Sequence, residues 1–463
     1  MAYRTEHDSM GEIRVPVDAR YGAQTQRAVE NFQFSQRRMP LNFIYRLALI
    51  KASAARANQQ LGLISEQVAN AIVRACESVV AGEQDDQFPV DVFQTGSGTS
   101  TNMNMNEVLA SLASESLGEP VHPNDIVNMS QSSNDVIPSA IHVSASLDIE
   151  LDLIPATERL QAAITAKGKE LGNIVKTGRT HLMDAMPLTF GQELSGWAWQ
   201  VEETRDRLGD LLKRLRALPL GGTAIGTGVN CDPAFPGLAV STLNEMCDAQ
   251  FSISKNSFSR MAGQENAVEC ASCLKALAVT LMKVSNDLRW MSSGPLAGLG
   301  EIELKPLQPG SSIMPGKVNP VIPEAVTMVC AEIIGNDATV TVGAQSGNFQ
   351  LNVMLPIIAE KLLSGIMLLA RASDAIADTI TGFSVNKSRI NEILDRNPIL
   401  VTGLNTRIGY EKAAVIAKRA YAEGRPVIDV ALEETDLSEA DLKGLMDPAK
   451  LAHPGQQSDE PDN

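Results

Sequence analysis

Residues 274–291 read LKALAVTLMKVSNDLRWM, and their apolar side chains recur at alternating intervals of three and four residues. The apolar positions are Leu274, Leu277, Leu281, Val284, Leu288 and Met291. This spacing aligns side chains on one face of an α-helix that packs against other helices. The stretch therefore predicts a long helix with one continuous buried face.

The same spacing recurs on both sides of this stretch. It is regular in 194–215 and weaker in 138–170, 324–354 and 357–379. Five long helices in succession favour an elongated helical bundle. Apolar faces of this kind can also be covered by other subunits, so oligomerisation is a reasonable expectation.

The two ends of the chain differ from the bundle in their sequence patterns. Before the bundle, an extended piece near Ile13–Val17 precedes helical patterns, and after Gly382 the helical patterns become short. Helices are predicted near 42–61, 66–81, 104–117, 411–422, 426–433 and 438–446. The polar and acidic tail, Gly455–Asn463, is expected to be disordered.

Composition excludes several classes of partner. The 463 residues carry a net charge of −16, which argues against nucleic acid and anionic membranes as partners. We see neither an N-terminal signal peptide nor a membrane-spanning stretch. The six cysteines are scattered, and Cys270-x-x-Cys273 lies within the helical pattern. We therefore expect a cytoplasmic protein with reduced thiols and no metal site.

Four separate segments combine small hydroxyl side chains, amides and glycines beside a predicted helix start. The first is TGSGTSTNMN at 95–104, which contains Ser97 and Thr99, and the second is SQSSND at 130–135. Free backbone N–H groups at a helix start favour a bound carboxylate. Taken alone, each segment is more often a helix cap or a turn than a ligand site.

The third and fourth segments add groups that can transfer protons or hold an anion. GRTHLMDAMP at 178–187 places His181 in a turn, which we expect to lead into a helix near Pro187. GSSIMPGKVNP at 310–320 combines a glycine-flanked pair of serines with Lys317 and Asn319. A mobile hydroxyl loop beside a lysine suits a small anion that gains charge during a reaction.

Together the four segments resemble the fumarase/aspartase superfamily over nearly the full length, and class II fumarases in particular. His181 stands where aspartases typically have Gln, the block His122-Pro-Asn-Asp125 begins with His, and Gly316 precedes Lys317. The segment Pro320–Glu324 is more similar to aspartases. Two departures from the family pattern are the lack of a basic residue in Gly118–Val121 and Leu296 in place of an arginine.

The resemblance implies a mainly α, three-domain subunit with a central bundle of five long helices. We place an N-terminal, mostly helical domain at 1–132, the bundle at 133–356, and a small helical domain with a disordered tail at 357–463. It further implies a homotetramer whose active sites form where three subunits meet. The implied reaction is the reversible hydration of fumarate to L-malate, without metal or organic cofactor.

Roles for individual residues also follow from the resemblance. Ser311 is the expected base, stabilised as an alkoxide by Lys317. His181, paired with Glu324, is expected to act on the water molecule or the hydroxyl leaving group. Lys317 and Asn319 are expected to hold the carboxylate that gains charge. The expected contacts to other substrate oxygens are Ser97, Thr99, Ser132, Ser133, Asn134 and Thr180. A weaker, secondary anion site is expected at His122, Asn124 and Asp125.

Two other functions are compatible with the residues themselves. An ammonia-lyase of the aspartase type is the first, because the segment Pro320–Glu324 is more similar to aspartases. The second is a catalytically silent helical scaffold, although the presence of both Ser311 and His181 argues against it.

Overall fold

The computed structural model describes residues 2–453, so the predicted disordered tail lies outside the described residues. Helices form most of the chain, as predicted. They are α1 (Ala23–Asn31), α2 (Leu41–Gln60), α3 (Glu66–Val80), α4 (Thr99–Leu117), α5 (Ser133–Asp148), α6 (Ile154–Leu171), α7 (Phe190–Leu215), α8 (Phe235–Cys247), α9 (Ser257–Ala262), α10 (Glu265–Met291), α11 (Val321–Gln345), α12 (Leu355–Gly382), α13 (Lys387–Asp395), α14 (Asn405–Ile408), α15 (Tyr410–Glu423), α16 (Val427–Glu434), α17 (Glu439–Leu445) and α18 (Pro448–Ala452).

Strands are short and pair two by two. They are β1 (Tyr3–Asp8), β2 (Gly11–Pro16), β3 (Val175–Thr180), β4 (Met183–Thr189), β5 (Ala217–Leu218), β6 (Ser252–Ile253), β7 (Ile302–Glu303) and β8 (Ser384–Val385). The pairs β1–β2, β3–β4 and β7–β8 are antiparallel, whereas β5–β6 is parallel. The mainly α fold class is thus confirmed.

The predicted helix faces are buried. All six apolar positions of 274–291, now in α10, are at most 4% exposed. The corresponding residues of α7, from Leu194 to Leu215, are equally buried. Burial of a large apolar side chain contributes roughly 1.5–3 kcal/mol to folding, so each face is a major source of stability. Five long helical segments, α5 with α6, α7, α10, α11 and α12, match the five long helices predicted from the apolar spacing.

Two of the predicted boundaries among the long helices were wrong. The helix expected near Pro187 begins at Phe190, because Pro187 lies in β4, where an edge strand tolerates a residue without an N–H. The pattern at 324–354 is also interrupted, since α11 ends at Gln345. The side chain of Asn352 donates to the carbonyls of Gly343 (3.0 Å) and Ala344 (3.1 Å), which satisfies the free end of α11.

The chain forms two compact units. One contains the described residues up to Pro155 with Thr204–Ala278 and Val329–Arg371; the other contains Ala156–Glu203, Val279–Met328 and the described residues from Ala372 onward. We refer to them as the first and second units. In the first unit, α2 packs against α3, α5 and α8. The earlier division into three domains at 132 and 356 stays a prediction.

Helix α11 is unusually apolar for its exposure. By length and composition it could cross a membrane, yet only 28% of its most apolar window is buried within the chain. Exposed side chains on it include Met328, Ile334 and Val342. Exposed apolar side chains of this kind are typical of a contact surface, and a single such helix is weak evidence for a membrane span.

Candidate active site

In the first unit, the segment 95–104 turns sharply into α4. Gly98 has φ +74°, a left-handed conformation that glycine adopts without strain, and Thr99 is the first helical residue. The hydroxyls of Ser97 and Thr99 are hydrogen-bonded at 2.8 Å. The predicted helix start near Asn104 was therefore five residues too late, and both predicted ligand residues lie at the N-terminus of α4.

The second polar segment caps α5. The Ser132 hydroxyl accepts the Asn134 N–H (3.2 Å), and Asp135 accepts the Ser132 N–H (2.9 Å) in return. The other Asp135 oxygen accepts the N–H groups of Gly221 (2.8 Å) and Thr223 (3.0 Å). Burial raises the pKa of Asp135, and these backbone donors act in the opposite direction. Asp135 thus anchors the loop around Gly221 against the start of α5.

Asn134 belongs to the same arrangement. Its side-chain amide donates to the carbonyl of Ala224 at 2.8 Å. This bond fixes the orientation of the Asn134 amide, so that its nitrogen faces Ala224 and its oxygen does not. The loop at 221–224 was not singled out from the sequence, because its partner Asp135 is more than eighty residues distant.

A chain of buried amides connects α4 with α5. Asn102 donates its side-chain N–H groups to Ser133 Oγ (3.0 Å) and to Asn128 Oδ1 (3.2 Å). The ammonium group of Lys51, on α2, donates to the same Asn128 oxygen at 2.9 Å. Sequence reasoning predicted Ser133 but missed Asn102, Asn128 and Lys51, although a lysine in the apolar stretch of 43–57 was a usable signal.

In the second unit, His181 lies at the tip of the β3–β4 hairpin. Thr180 pairs with Met183, so His181 and Leu182 alone form the turn, with φ values of +55° and +60°. Such two-residue turns usually contain Asn or Gly, and a larger residue there costs about 1–3 kcal/mol in backbone strain. Strain held at an exposed histidine is characteristic of a functional position.

A buried ion cluster lies at the base of this hairpin. Lys176 pairs with Glu193 (2.8 Å) and Glu301 (2.9 Å), and Glu301 also pairs with Arg179 (2.7 Å). Lys176 and Glu301 are at most 2% exposed. Removing one partner of such a cluster leaves an uncompensated buried charge, so the cluster holds β3 firmly. Arg179 directly precedes Thr180, which places the predicted site residues on a rigid support.

The loop 310–320 is closed upon itself. Gly310 N–H donates to the Lys317 carbonyl (2.8 Å), and the Asn319 amide donates to the Gly310 carbonyl (2.6 Å). Gly316 has φ +82°, as the Pro-Gly turn predicted. Within this ring, Ser311 Oγ accepts the backbone N–H groups of Ile313 (3.3 Å) and Met314 (3.1 Å).

One cleft of the second unit brings three predicted residues together. Lys317, Asn319 and Glu324 line a space of about 1050 Å³. Glu324 lies in the first turn of α11, which begins at Val321. Polar side chains from other segments that line the same cleft are Asn286, Arg289, Ser292, Ser293, Glu303, Ser384 and Asn386.

The predicted secondary anion site has a capping geometry. His122 Nδ1 accepts the Asp125 N–H at 3.1 Å and lies 3.2 Å from the Asp125 carboxylate. His122, Asn124 and Asp125 are all exposed. A carboxylate beside the ring opposes binding of an anion, so the secondary site stays a prediction.

Within residues 2–453, no group of three or more His, Cys, Asp or Glu side chains is arranged to hold a metal ion. The cysteines described there are all free thiols. Burial raises the pKa of Cys273 and raises the pKa of Cys330 to about 11, so these thiols remain protonated. Their surroundings are those of packing residues.

Comparison with known proteins identifies relatives over almost the whole chain. Residues 11–335 match a family model described as lyase, and residues 400–453 match one described as fumarase C C-terminus. A protein of Xylella fastidiosa named fumarate hydratase class II is 57% identical over 98% of this chain and 96% of its own length. A Pseudomonas aeruginosa protein named fumarate hydratase class II 2 is 56% identical, with 98% and 99% covered.

A solved structure leads to the same family. The crystal structure of recombinant class II fumarase from Schistosoma mansoni has a TM-score of 0.95 and 38% identity. It covers 98% of this chain and 100% of its own. This chain thus shares its fold with that structure over nearly its whole length. The chain is a member of the fumarase/aspartase superfamily, in its class II fumarate hydratase family.

Proposed function

We propose a mechanism, residue by residue, for the fumarate hydratase reaction of this lyase: the reversible addition of water to fumarate to give L-malate. Malate carries two carboxylates, and removal of a C3 proton adds further negative charge. The barrier must therefore be lowered by donors and cations that are already in place. The observation that carries the proposal is the Ser311 hydroxyl, which accepts two backbone N–H groups.

Ser311 acts as the base in this mechanism. The two N–H groups stabilise a negative charge on Oγ more than a neutral hydroxyl, which lowers the cost of forming an alkoxide. The alkoxide takes the C3 proton of malate, and the electron pair moves into the adjacent carboxylate. Lys317 and Asn319 hold that carboxylate from the same loop.

His181 acts at the other reacting carbon. As imidazolium it gives a proton to the C2 hydroxyl, which leaves as water while the C2–C3 double bond forms. In the hydration direction neutral His181 takes a proton from water. Glu324 is the proposed carboxylate partner, because a carboxylate next to histidine raises its basicity. The exposed hairpin tip makes His181 accessible to a second segment.

The remaining hydroxyls and amides bind the substrate oxygens. Ser97 and Thr99 are at the start of α4, and Ser132, Ser133 and Asn134 are at the start of α5. Helix N-termini carry partial positive charge and free N–H groups, which favour carboxylates. Thr180 adds a hydroxyl beside His181. This local arrangement offsets the net charge of −16, which would otherwise repel a dianion.

We expect purified protein to interconvert L-malate and fumarate in the presence of EDTA without added metal. The measurement is fumarate absorbance from malate, with ammonia release from aspartate measured in parallel. Fumarate formation without ammonia release is the expected result, because His181 is proposed to give its proton to a leaving hydroxyl group, and aspartases typically have Gln at this position. Ammonia release from aspartate with no turnover of malate would contradict the assignment and favour the aspartase alternative.

The assembled protein is proposed to be a homotetramer, on account of the exposed apolar faces of its long helices. Met328, Ile334 and Val342 on α11 are 41–68% exposed in the single chain. Trp199 on α7 and Trp290 on α10 are more than half exposed. Burial of these side chains against other subunits would remove a large apolar surface from water. With this surface covered, the protein is proposed to be cytoplasmic and independent of membranes.

Light scattering should give a mass of roughly four times 49.6 kDa. The tetramer should persist at high salt, because apolar burial is not screened by ions. Replacing Met328 and Val342 by Lys should shift the distribution toward smaller species, whereas Lys at exposed Tyr421 on α15 should not. An active monomer would contradict both the assembly and the sharing of sites between subunits.

A further inference from the structure

Lys51 is a buried cation that the mechanism above does not use. It lies on α2 and is fully buried. Its partner among the described residues is the neutral amide of Asn128, at 2.9 Å. Burial lowers the pKa of Lys51 to about 7, and the charge of Asp135 acts against that shift. Burying an ammonium group without a dedicated carboxylate is costly, so such a residue is a candidate for a functional role.

The direction of the hydrogen bonds around Lys51 is determined by its chemistry. In its protonated form the Lys51 ammonium group can only donate, and the Asn128 side chain presents its oxygen to it at 2.9 Å. The Asn128 nitrogen then donates to the Gln131 carbonyl at 3.2 Å. The same Asn128 oxygen accepts an N–H from Asn102 and one from Asn106, each at 3.2 Å. A reversed Asn102 amide would place two oxygens against each other.

The direction continues to Ser133. Asn102 donates its second N–H to Ser133 Oγ at 3.0 Å. Since Oγ is the acceptor in this bond, the hydroxyl hydrogen of Ser133 is available to another acceptor. A substrate carboxylate is such an acceptor. If Ser133 instead donated inward, it would present lone pairs to the dianion and repel it.

We propose that Lys51 is a positioning residue for substrate: acting through Asn128 and Asn102, it fixes the Ser133 hydroxyl as a hydrogen-bond donor to a substrate carboxylate. This role rests on the proposed placement of substrate at Ser133. The competing explanation is purely structural. In that case Lys51 only attaches α2 to the turn at 128–131, as Asn58 does through Met129 O (3.1 Å) and Ser130 Oγ (2.9 Å).

A double-mutant cycle separates the two explanations. The variants are Lys51→Met, Ser133→Ala and the combination, measured with L-malate and fumarate. Each single substitution should raise KM by about tenfold with kcat changed less than about threefold, because a bond to the bound carboxylate is lost throughout the reaction. The combination should be no worse than Ser133→Ala alone, since Lys51 has no effect once the hydroxyl is gone.

Asn58→Ala is the matched control, because it removes a second buried polar contact between α2 and the same turn. It should leave KM within about twofold of the parent value, and its effect should add to that of Ser133→Ala. If Lys51→Met does not fold, Asn102→Ala is the alternative variant. It interrupts the series of hydrogen bonds between Lys51 and Ser133, leaves Lys51 intact, and should show the same non-additivity with Ser133→Ala.

Three results would overturn the proposal, and they differ in what else they affect. Additive effects of Lys51→Met and Ser133→Ala would reject the connection between the two residues while leaving the mechanism intact. A KM increase of equal size in Asn58→Ala would assign Lys51 a structural role. An unchanged KM in Ser133→Ala would reject the placement of substrate at Ser133, and the role of Lys51 with it.

Discussion

Replacement of Ser311 by alanine is expected to lower kcat for malate dehydration by at least about a hundredfold, the usual loss when a general base is removed. The physical reason is local. Two backbone N–H groups point at Ser311 Oγ, and no other atom of that side chain can accept a proton. KM should change less than kcat, because Lys317 and Asn319 still hold the carboxylate.

Ser312→Ala is the control for Ser311→Ala. Ser312 is adjacent and exposed, and has no hydrogen-bond partner within the described part of the chain. Its replacement should leave kcat within a few-fold, since surface substitutions away from special contacts have small effects. The measurement is initial fumarate formation with both variants at equal tetramer concentration. Near-normal turnover in Ser311→Ala would exclude the proposed base, and a large loss only in Ser312→Ala would move the role to its neighbour.

The second large effect is a recovery of activity rather than a loss. His181→Asn and Lys317→Ala should each be nearly inactive, but mixed tetramers of the two should regain activity. His181 is at a hairpin tip and Lys317 is in a separate exposed loop, and we propose that different subunits contribute them to one site. With random mixing of equal amounts, about one quarter of the sites receive both intact residues.

The complementation experiment requires dissociation and reassociation of the two variants. Subunit exchange is checked independently by mass, with one variant carrying a tag. Activity should rise with the fraction of hybrid tetramers and should be absent when each variant is treated alone. If exchange is complete and no activity returns, His181 and Lys317 serve the same site from one chain.

The long helices could be predicted from sequence because their signal is local and repeated. The apolar positions from Leu274 to Met291 stay on one face of the helix. A helical spacing sustained over so many residues has few interpretations other than a helix. The family was also recognisable, because the four polar segments at 95–104, 130–135, 178–187 and 310–320 match as complete strings. The fold class and the reaction therefore followed from the order of residues alone.

Local boundaries were less predictable where tertiary contacts decided them. The apolar pattern near 324–354 continues past Gln345, but Asn352 folds back on the helix end. The β3–β4 hairpin was not predicted, because its two strands are short and its turn, His181-Leu182, lacks the usual Asn or Gly. Its strained turn is supported by the ion cluster around Glu301, more than one hundred residues along the chain.

By itself, the sequence determined the helical architecture and the family, and it pointed to the groups that we propose to react. Only the tertiary structure decided which atoms of those groups donate and which accept. Ser133 is available as a donor because Asn102 donates an N–H to its hydroxyl oxygen. Asn102 also donates to the side-chain oxygen of Asn128, and the same oxygen accepts a hydrogen bond from Lys51. Hydrogen-bond direction depends on buried partners from distant segments, and residue order carries no local signal for it.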